Sequence, residues 1–110
     1  MIERLFVYGT LAPGEENHHW MEPLNGHWET ATAPGRVAIQ TQGVHTGLPC
    51  FIPSDVDSVE GMIFSSEELG KIWEKLDEFE GSDYGRQLIS VTTAKGFKVD
   101  AYVYVDLKSL

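Results

Sequence analysis

The chain has 110 residues, 42% apolar and 23% charged, with a formal net charge of −9. Three Trp, four Tyr and five Phe supply large core side chains, which excludes a disordered chain and favours one domain over residues 1–110. The acidic balance repels phosphate backbones and anionic membrane surfaces, and the eight Lys and Arg are scattered, so neither a nucleic-acid nor a membrane partner is expected.

The apolar run at the N-terminus is too short for a secretory signal. It reads as a strand over residues 2–8, carried by Leu5, Phe6, Val7 and Tyr8 and stopped by Gly9. Residues 10–16 hold Pro13 and Gly14 and read as a loop. Asn17 is placed to cap a short helix through His18, His19, Trp20 and Met21, ended by Pro23. Residues 27–53 are rich in Thr, Gly and Pro, with short strands expected at 27–33 and 36–40 and a long loop at 43–53 containing one extended stretch. A further strand is expected at 59–64. Residues 87–93 and 97–105 read as a hairpin around Lys95 and Gly96. No stretch approaches the roughly 20 apolar residues of a membrane span. The single cysteine, Cys50, rules out an intrachain disulfide, and the default compartment is the cytoplasm.

One helix is well marked. Ser65 with Glu68 fits a capping box, Leu69, Ile72, Trp73 and Leu76 follow at helical spacing, and Gly81 stands where the helix should stop. Many short strands with one or two helices favour a small α+β domain on a curved sheet or barrel. On a helical wheel with Leu69 at zero, Trp73 lies at about 40°, Leu76 at about 340° and Glu80 at about 20°, while Glu74 and Glu78 face solvent near 140° and 180°. Glu80 is therefore aimed at the apolar stripe. A buried carboxyl of this kind is driven toward a raised pKa, as a general acid–base requires. Two other readings of the same residue are open: Glu80 bends out to water beside Gly81, or it forms a structural salt bridge with Arg86.

The exit of the first strand is the second candidate. Val7, Tyr8, Gly9, Thr10 and Leu11 leave a buried strand through a glycine, a place where successive N–H groups can converge on a carboxylate or an oxyanion. Ordinary strand–glycine turns look the same, and the lysine and spacing of a phosphate loop are missing. His18, His19, His27 and His45 show no HxxxH or HExxH spacing, so no metal is expected. Cys50, between Pro49 and Phe51, reads as a buried inert thiol. Tyr102 and Tyr104 alternate with Val103 and Val105 and share a face, for packing or for lining a pocket.

VYGTL at residues 7–11 and LDEFEG at residues 76–81 together resemble the gamma-glutamylcyclotransferase-like superfamily, in particular its short members similar to gamma-glutamylamine cyclotransferases. Ala12-Pro13-Gly14 with Asn17 and His18, Gly47-Leu48-Pro49, Val59-Glu60-Gly61 and Tyr84-Gly85-Arg86 extend the resemblance in order along nearly the whole chain. It implies a small mixed β-barrel flanked by one or two helices. It also implies an enzyme that cyclises a gamma-glutamyl amine or amino acid to 5-oxoproline and releases the amine, with no cofactor. Glu80 falls on the family's general acid/base, and Tyr8, Gly9, Thr10 and Leu11 on its substrate-binding loop. A small-molecule gamma-glutamyl substrate is thus the expected partner. The rival readings are a non-catalytic module of the same fold that binds small metabolites, and an interaction protein that binds no small ligand.

Overall fold

A computed structural model describes residues 2–9, 11–15, 18–39 and 49–109. Five strands make a closed barrel: β1 (Glu3–Val7), β2 (His27–Ile39), β3 (Pro49–Ser66), β4 (Tyr84–Thr93) and β5 (Lys98–Asp106), in the order β1-β3-β2-β4-β5. The β1–β3, β3–β2, β2–β4 and β4–β5 ladders are antiparallel. The barrel closes through parallel pairings of β5 with β1, Leu5 opposite Tyr102, and with β3, Phe51 opposite Val105. The barrel is therefore mixed. One α-helix, α1 (Trp73–Glu80), and one-turn 3-10 helices at His18–Trp20, Leu69–Lys71 and Leu107–Ser109 complete the described elements. Among the described residues no helix is long and apolar enough to cross a membrane.

Strand alternation sorts the apolar side chains into two clusters. Phe6, Ala31, Ala33, Phe51, Val59, Ile63, Val91, Ala101, Val103 and Val105 fill one, with Tyr8 packed against it. Leu5, Val7, Leu11, Met21, Phe64, Leu69, Trp73, Leu76 and Tyr104 form the other, beneath the helical segment. Successive residues of β1 thus serve opposite sides of the barrel wall. The same alternation on β5 gives Val103 and Val105 to the first cluster and Tyr102 and Tyr104 to the helix side.

Several expected elements differ in extent. Residues 27–33 and 36–40 were expected as separate strands, but β2 runs continuously from His27 to Ile39. Pro34 and Gly35 mark a register shift within it instead of a break: Pro34 faces Ser58, Gly35 faces Pro53, and residues 54–57 of β3 bulge out unpaired with β2. The expected loop at 43–53 is strand from Pro49 onward, with Cys50, Phe51 and Ile52 buried, while residues 40–48 lie outside the described residues. Asn17 also lies outside them, and the expected short helix after it is a single 3-10 turn at His18–Trp20.

The capping box is corrected as well. Ser65 belongs to β3, opposite Arg4 and His27. The neighbouring Ser66 hydroxyl takes the Glu68 N–H at 2.9 Å and donates to the Asn25 carbonyl. The Glu68 carboxylate accepts from the Asn25 N–H at 2.6 Å and from Lys71 at 3.0 Å. With Glu68 held to the loop and the weak helix former Gly70 in the first turn, residues 69–71 wind as a 3-10 turn. The α-helix starts only at Trp73. Leu69 is still fully buried, so the apolar stripe survives the change of winding.

Gly61 shows how tightly β1 is seated on β3. A Cβ there would overlap the Val7 carbonyl and the Phe6 ring, whereas a Cβ at Gly9 would meet only the Pro49 side chain, at 3.5 Å. Gly61→Ala is therefore expected to lower folding stability by about 1–3 kcal/mol, with Gly9→Ala within roughly 0.5 kcal/mol of wild type. Urea unfolding of both variants checks this, and equal stabilities would refute it.

Candidate functional site

Helix α1 presents Trp73, Leu76 and Glu80 along one side, at i, i+3 and i+7, so the position of Glu80 does not depend on the turn at Leu69. Trp73 and Leu76 are buried against the barrel. Gly81, at φ 88°, ends the helix directly after Glu80 and donates its N–H to the Asp77 carbonyl at 3.1 Å. The chain then turns into β4, with the Tyr84 N–H on the Gly81 carbonyl. The carboxyl of the last helical residue is left half-buried against the barrel wall.

Burial pushes the Glu80 carboxyl from its ordinary 4.5 up to about 7. Desolvation disfavours the ionised form, and no neighbouring charge accounts for the shift. Of the readings left open by the sequence, the geometry therefore favours the inward carboxyl. The suspected partner, Arg86, is engaged elsewhere: its Nε lies 3.1 Å from Asp77 Oδ1 and its Nη2 donates to Asp77 Oδ2 at 3.2 Å. The guanidinium sits 4.2 Å over the Trp73 ring and 5.2 Å from the Tyr102 ring centre. The Tyr104 hydroxyl donates to Asp77 Oδ1 at 2.7 Å, and Trp73 Nε1 donates to Glu3 Oε2 at 3.1 Å.

The first-strand residues divide. Tyr8 turns its ring toward Phe6 and Phe51, with centroids 6.5 and 5.6 Å away, and its hydroxyl donates to the Tyr104 carbonyl at 3.2 Å. Burial, and after it the charge of Glu80, raise the Tyr8 phenol above its ordinary value. The same charge contributes to raising Tyr104, after burial and Asp77. Glu80 and Tyr8 are thus within electrostatic reach of each other across the barrel wall. Gly9 accepts the Ala12 N–H at 3.1 Å to open the following turn, and its φ is not left-handed. The expected backbone freedom is not used at this glycine. Leu11 buries its side chain in the helix-side cluster, and its carbonyl is 3.1 Å from His18 Nδ1. Thr10 lies outside the described residues.

The Asp77–Arg86 pair was not singled out in the sequence, where Tyr8 was named as part of the substrate-binding loop and Tyr104 for packing or for lining a pocket. Alternation places Tyr8 on the Phe6 face, but the approach of that face to α1 is a tertiary fact. Cys50 is buried with Sγ 4.0 Å from Asp106 Oδ2, and burial followed by the Asp106 charge pushes its thiol up. Among the described residues no group of three or more His, Cys, Asp or Glu side chains could hold a metal ion. His45 falls outside them, and His18 packs against Trp28 at 5.4 Å.

The family described as gamma-glutamyl cyclotransferase, AIG2-like matches residues 5–109. The chain belongs to this family. A Drosophila melanogaster protein named "Putative gamma-glutamylcyclotransferase CG2811" is 29% identical over 96% of this chain and 70% of its own length. Among solved structures, a mouse AIG2-like protein superposes with TM-score 0.76 at 25% identity, over 99% of this chain and 80% of the other. YkqA from Bacillus subtilis superposes with TM-score 0.74 at 29% identity, over 97% of this chain. The chain spans only 36% of that larger protein. The AIG2-like barrel flanked by a helix, expected from the resemblance, is the fold present here.

The Glu80 carboxyl has a consequence for stability. Its folded pKa, about 7, lies above the unfolded value of about 4.3. The unfolded chain therefore ionises first, and stability falls as pH rises from about 4.3 through 7, then levels off. Below the unfolded value nothing is lost. Glu80→Gln is expected to flatten this slope and to exceed wild-type stability above pH 7 by on the order of 3–4 kcal/mol. Melting curves from pH 4 to 8 test it. Parallel curves for the two proteins would show an ordinary solvated glutamate.

Proposed function

We propose that this chain cyclises a gamma-glutamyl amine or amino acid to 5-oxoproline, with Glu80 as general acid and base. The observation that carries the proposal is a half-buried carboxyl, pushed up to about 7 by burial alone, while Arg86, its suspected partner, is held by Asp77. Membership of the gamma-glutamyl cyclotransferase, AIG2-like family and the name of the Drosophila relative support it.

The reaction is intramolecular. The substrate's α-amine attacks its own γ-carbonyl, a C–N bond closes the five-membered ring, and the γ-amide C–N bond breaks. Because the nucleophile is tethered, its proximity comes with the substrate. Protein groups are then needed for proton transfer and for charge. Glu80 takes a proton from the attacking ammonium and returns one to the leaving amine. An ammonium holds its proton more tightly than a carboxylate does, so an ordinary glutamate is a poor acceptor. Each pH unit by which burial raises Glu80 narrows that mismatch by about 1.4 kcal/mol, and the raised pKa lets the carboxyl keep that proton near neutral pH until the amine leaves. Backbone amides among Tyr8, Gly9, Thr10 and Leu11 are assigned to the substrate carboxylate or to the tetrahedral oxyanion. The Tyr8 hydroxyl is directed to the Tyr104 carbonyl, which fixes its ring at the barrel wall. The scheme uses no cofactor or metal.

The direct test is incubation with gamma-glutamyl-amino acids and gamma-glutamyl-lysine, with 5-oxoproline followed by mass spectrometry. Glu80→Gln is expected to fold and to lose turnover by about 100-fold or more. For wild type, kcat/KM is expected to fall about tenfold per pH unit below roughly 7, where the base is protonated. Near wild-type turnover in the variant would end the assignment of Glu80. Ligand-induced thermal stabilisation without product would instead point to a binding module.

A chelator should leave turnover unchanged. Activity lost to a chelator and restored by a divalent ion would contradict a carboxylate-only scheme.

A further inference from the structure

Asp77 and Glu80 stand three residues apart on α1, with Cβ atoms about 5–6 Å from each other on neighbouring positions of one face. Their surroundings differ. Asp77 receives two contacts from Arg86 and the Tyr104 hydroxyl. The two donors are directly opposite each other in the β4–β5 ladder, Arg86 facing Tyr104, so both reach one carboxylate from adjacent strands. Arg86 is held from a third side by the Trp73 ring, and that ring is tied to Glu3 on β1. Glu80 has neither an ion pair nor a hydrogen bond among the described residues.

The groups around Glu80 can be named by element. From the residue that follows β1 comes Tyr8 and from β5 Tyr104, both of which feel its charge. Next to these, β4 contributes Tyr84, whose phenol acts on that of Tyr8, and Arg86, whose charge acts on Tyr104 alongside that of Glu80. Its own helix contributes Asp77, while Glu74 and Glu78 are exposed. Asp77 and Arg86, of opposite formal charge, occur as a pair. A free guanidinium at this place would have Glu80 as the neighbouring carboxylate on the same helix face.

We propose that Asp77 is a positioning residue for Glu80: by holding Arg86 in a neutral pair over Trp73, it keeps a free cation off the Glu80 carboxylate. The pair is then an electrostatic guard, and breaking either half leaves a net charge beside Glu80. The two halves leave charges of opposite sign. Loss of the Asp77 carboxylate leaves a cation, which favours ionised Glu80. Loss of the guanidinium leaves an anion, which disfavours it.

The bearing on turnover rests on the proposed role of Glu80, so the test reads the carboxyl directly. The Glu80 side chain is titrated by NMR in wild type, Asp77→Asn, Arg86→Met, Arg86→Lys and the Asp77→Asn/Arg86→Met double variant. Asp77→Asn is expected to move the Glu80 midpoint down by roughly 0.5–1 pH unit and Arg86→Met to move it up by a similar amount. The double variant, neutral again, returns close to wild type, and Arg86→Lys stays there. If Asp77→Asn does not fold, the contrast between Arg86→Met and Arg86→Lys decides alone. A midpoint that stays put, or moves the same way in both single variants, overturns the inference, because a merely structural pair would alter stability without opposite shifts at Glu80. Opposite shifts in a protein that forms no 5-oxoproline would uphold the guard and reject the proposed reaction. Product formation with an unmoved midpoint would do the reverse.

Discussion

The alternation of β1 is the constraint on which the rest of the structure depends. Five residues are hydrogen-bonded to β3 along their whole length and meet β5 at Leu5. Phe6 reaches the cluster dominated by small and β-branched barrel residues, while Leu5 and Val7 reach the cluster under the helix. A slip of one residue would exchange these faces and expose both sets. The lack of room above Gly61 leaves β1 little freedom to shift. Because β1 is fixed in this way, the residue that follows it, Tyr8, enters the barrel wall at a defined height. Its hydroxyl meets the Tyr104 carbonyl there, within reach of the Glu80 charge.

On the helix side, stability and site chemistry are divided between two carboxylates one turn apart. Asp77 has a forked contact to Arg86 and a phenolic hydrogen bond, and is half-exposed, so its charge is both solvated and matched. Glu80 has burial without a counter-charge. An ordinary structural carboxyl would gain from pairing with a cation such as Arg86, which Asp77 holds instead. The arrangement forgoes that gain and leaves a group whose ionisation opposes folding near neutral pH. Local sequence and fold usually agree, and disagreement of this kind concentrates where a side chain is held for its chemistry.

Much of this was legible in the sequence because it rests on short-range periodicity. The run Leu5 to Tyr8 marks β1, and the turn at Lys95 and Gly96 is realised with Gly96 at φ 90°. The spacing of Trp73, Leu76 and Glu80 aims the carboxyl inward even though the helix begins four residues later than Leu69. What sequence reasoning misjudged depends on partners far along the chain. Pro34 and Gly35 look like a strand break, yet β3 supplies an excursion opposite them and the ladder continues. Ser65 looks like a cap, yet its two neighbouring strands claim it and Ser66 makes the turn. Arg86 was weighed as a partner for Glu80. Its capture by Asp77 depends on the Arg86–Tyr104 register and on a Trp73 ring anchored to Glu3, neither of which is a local signal.

The proposed reaction helps to explain why so small a barrel would suffice. A bimolecular acyl transfer needs a site that holds two reactants at attacking distance. A gamma-glutamyl group carries its nucleophile on the same carbon skeleton as its electrophile. The protein must then supply a proton acceptor matched to an amine and fixed dipoles for one carboxylate or oxyanion. In the proposed scheme one half-buried carboxyl at the end of an eight-residue helix is the candidate for the first need, and the exit of β1 is the candidate for the second. The charge of Glu80 reaches Tyr8 at that exit and Tyr104 on β5, so the packing of this barrel wall bears on both. In such a design the leaving amine is the part of the substrate least defined by this wall. Selectivity among gamma-glutamyl compounds would then reside in the loops that face it, while acid–base competence stays with the helix and strand that hold Glu80 and Tyr8 together.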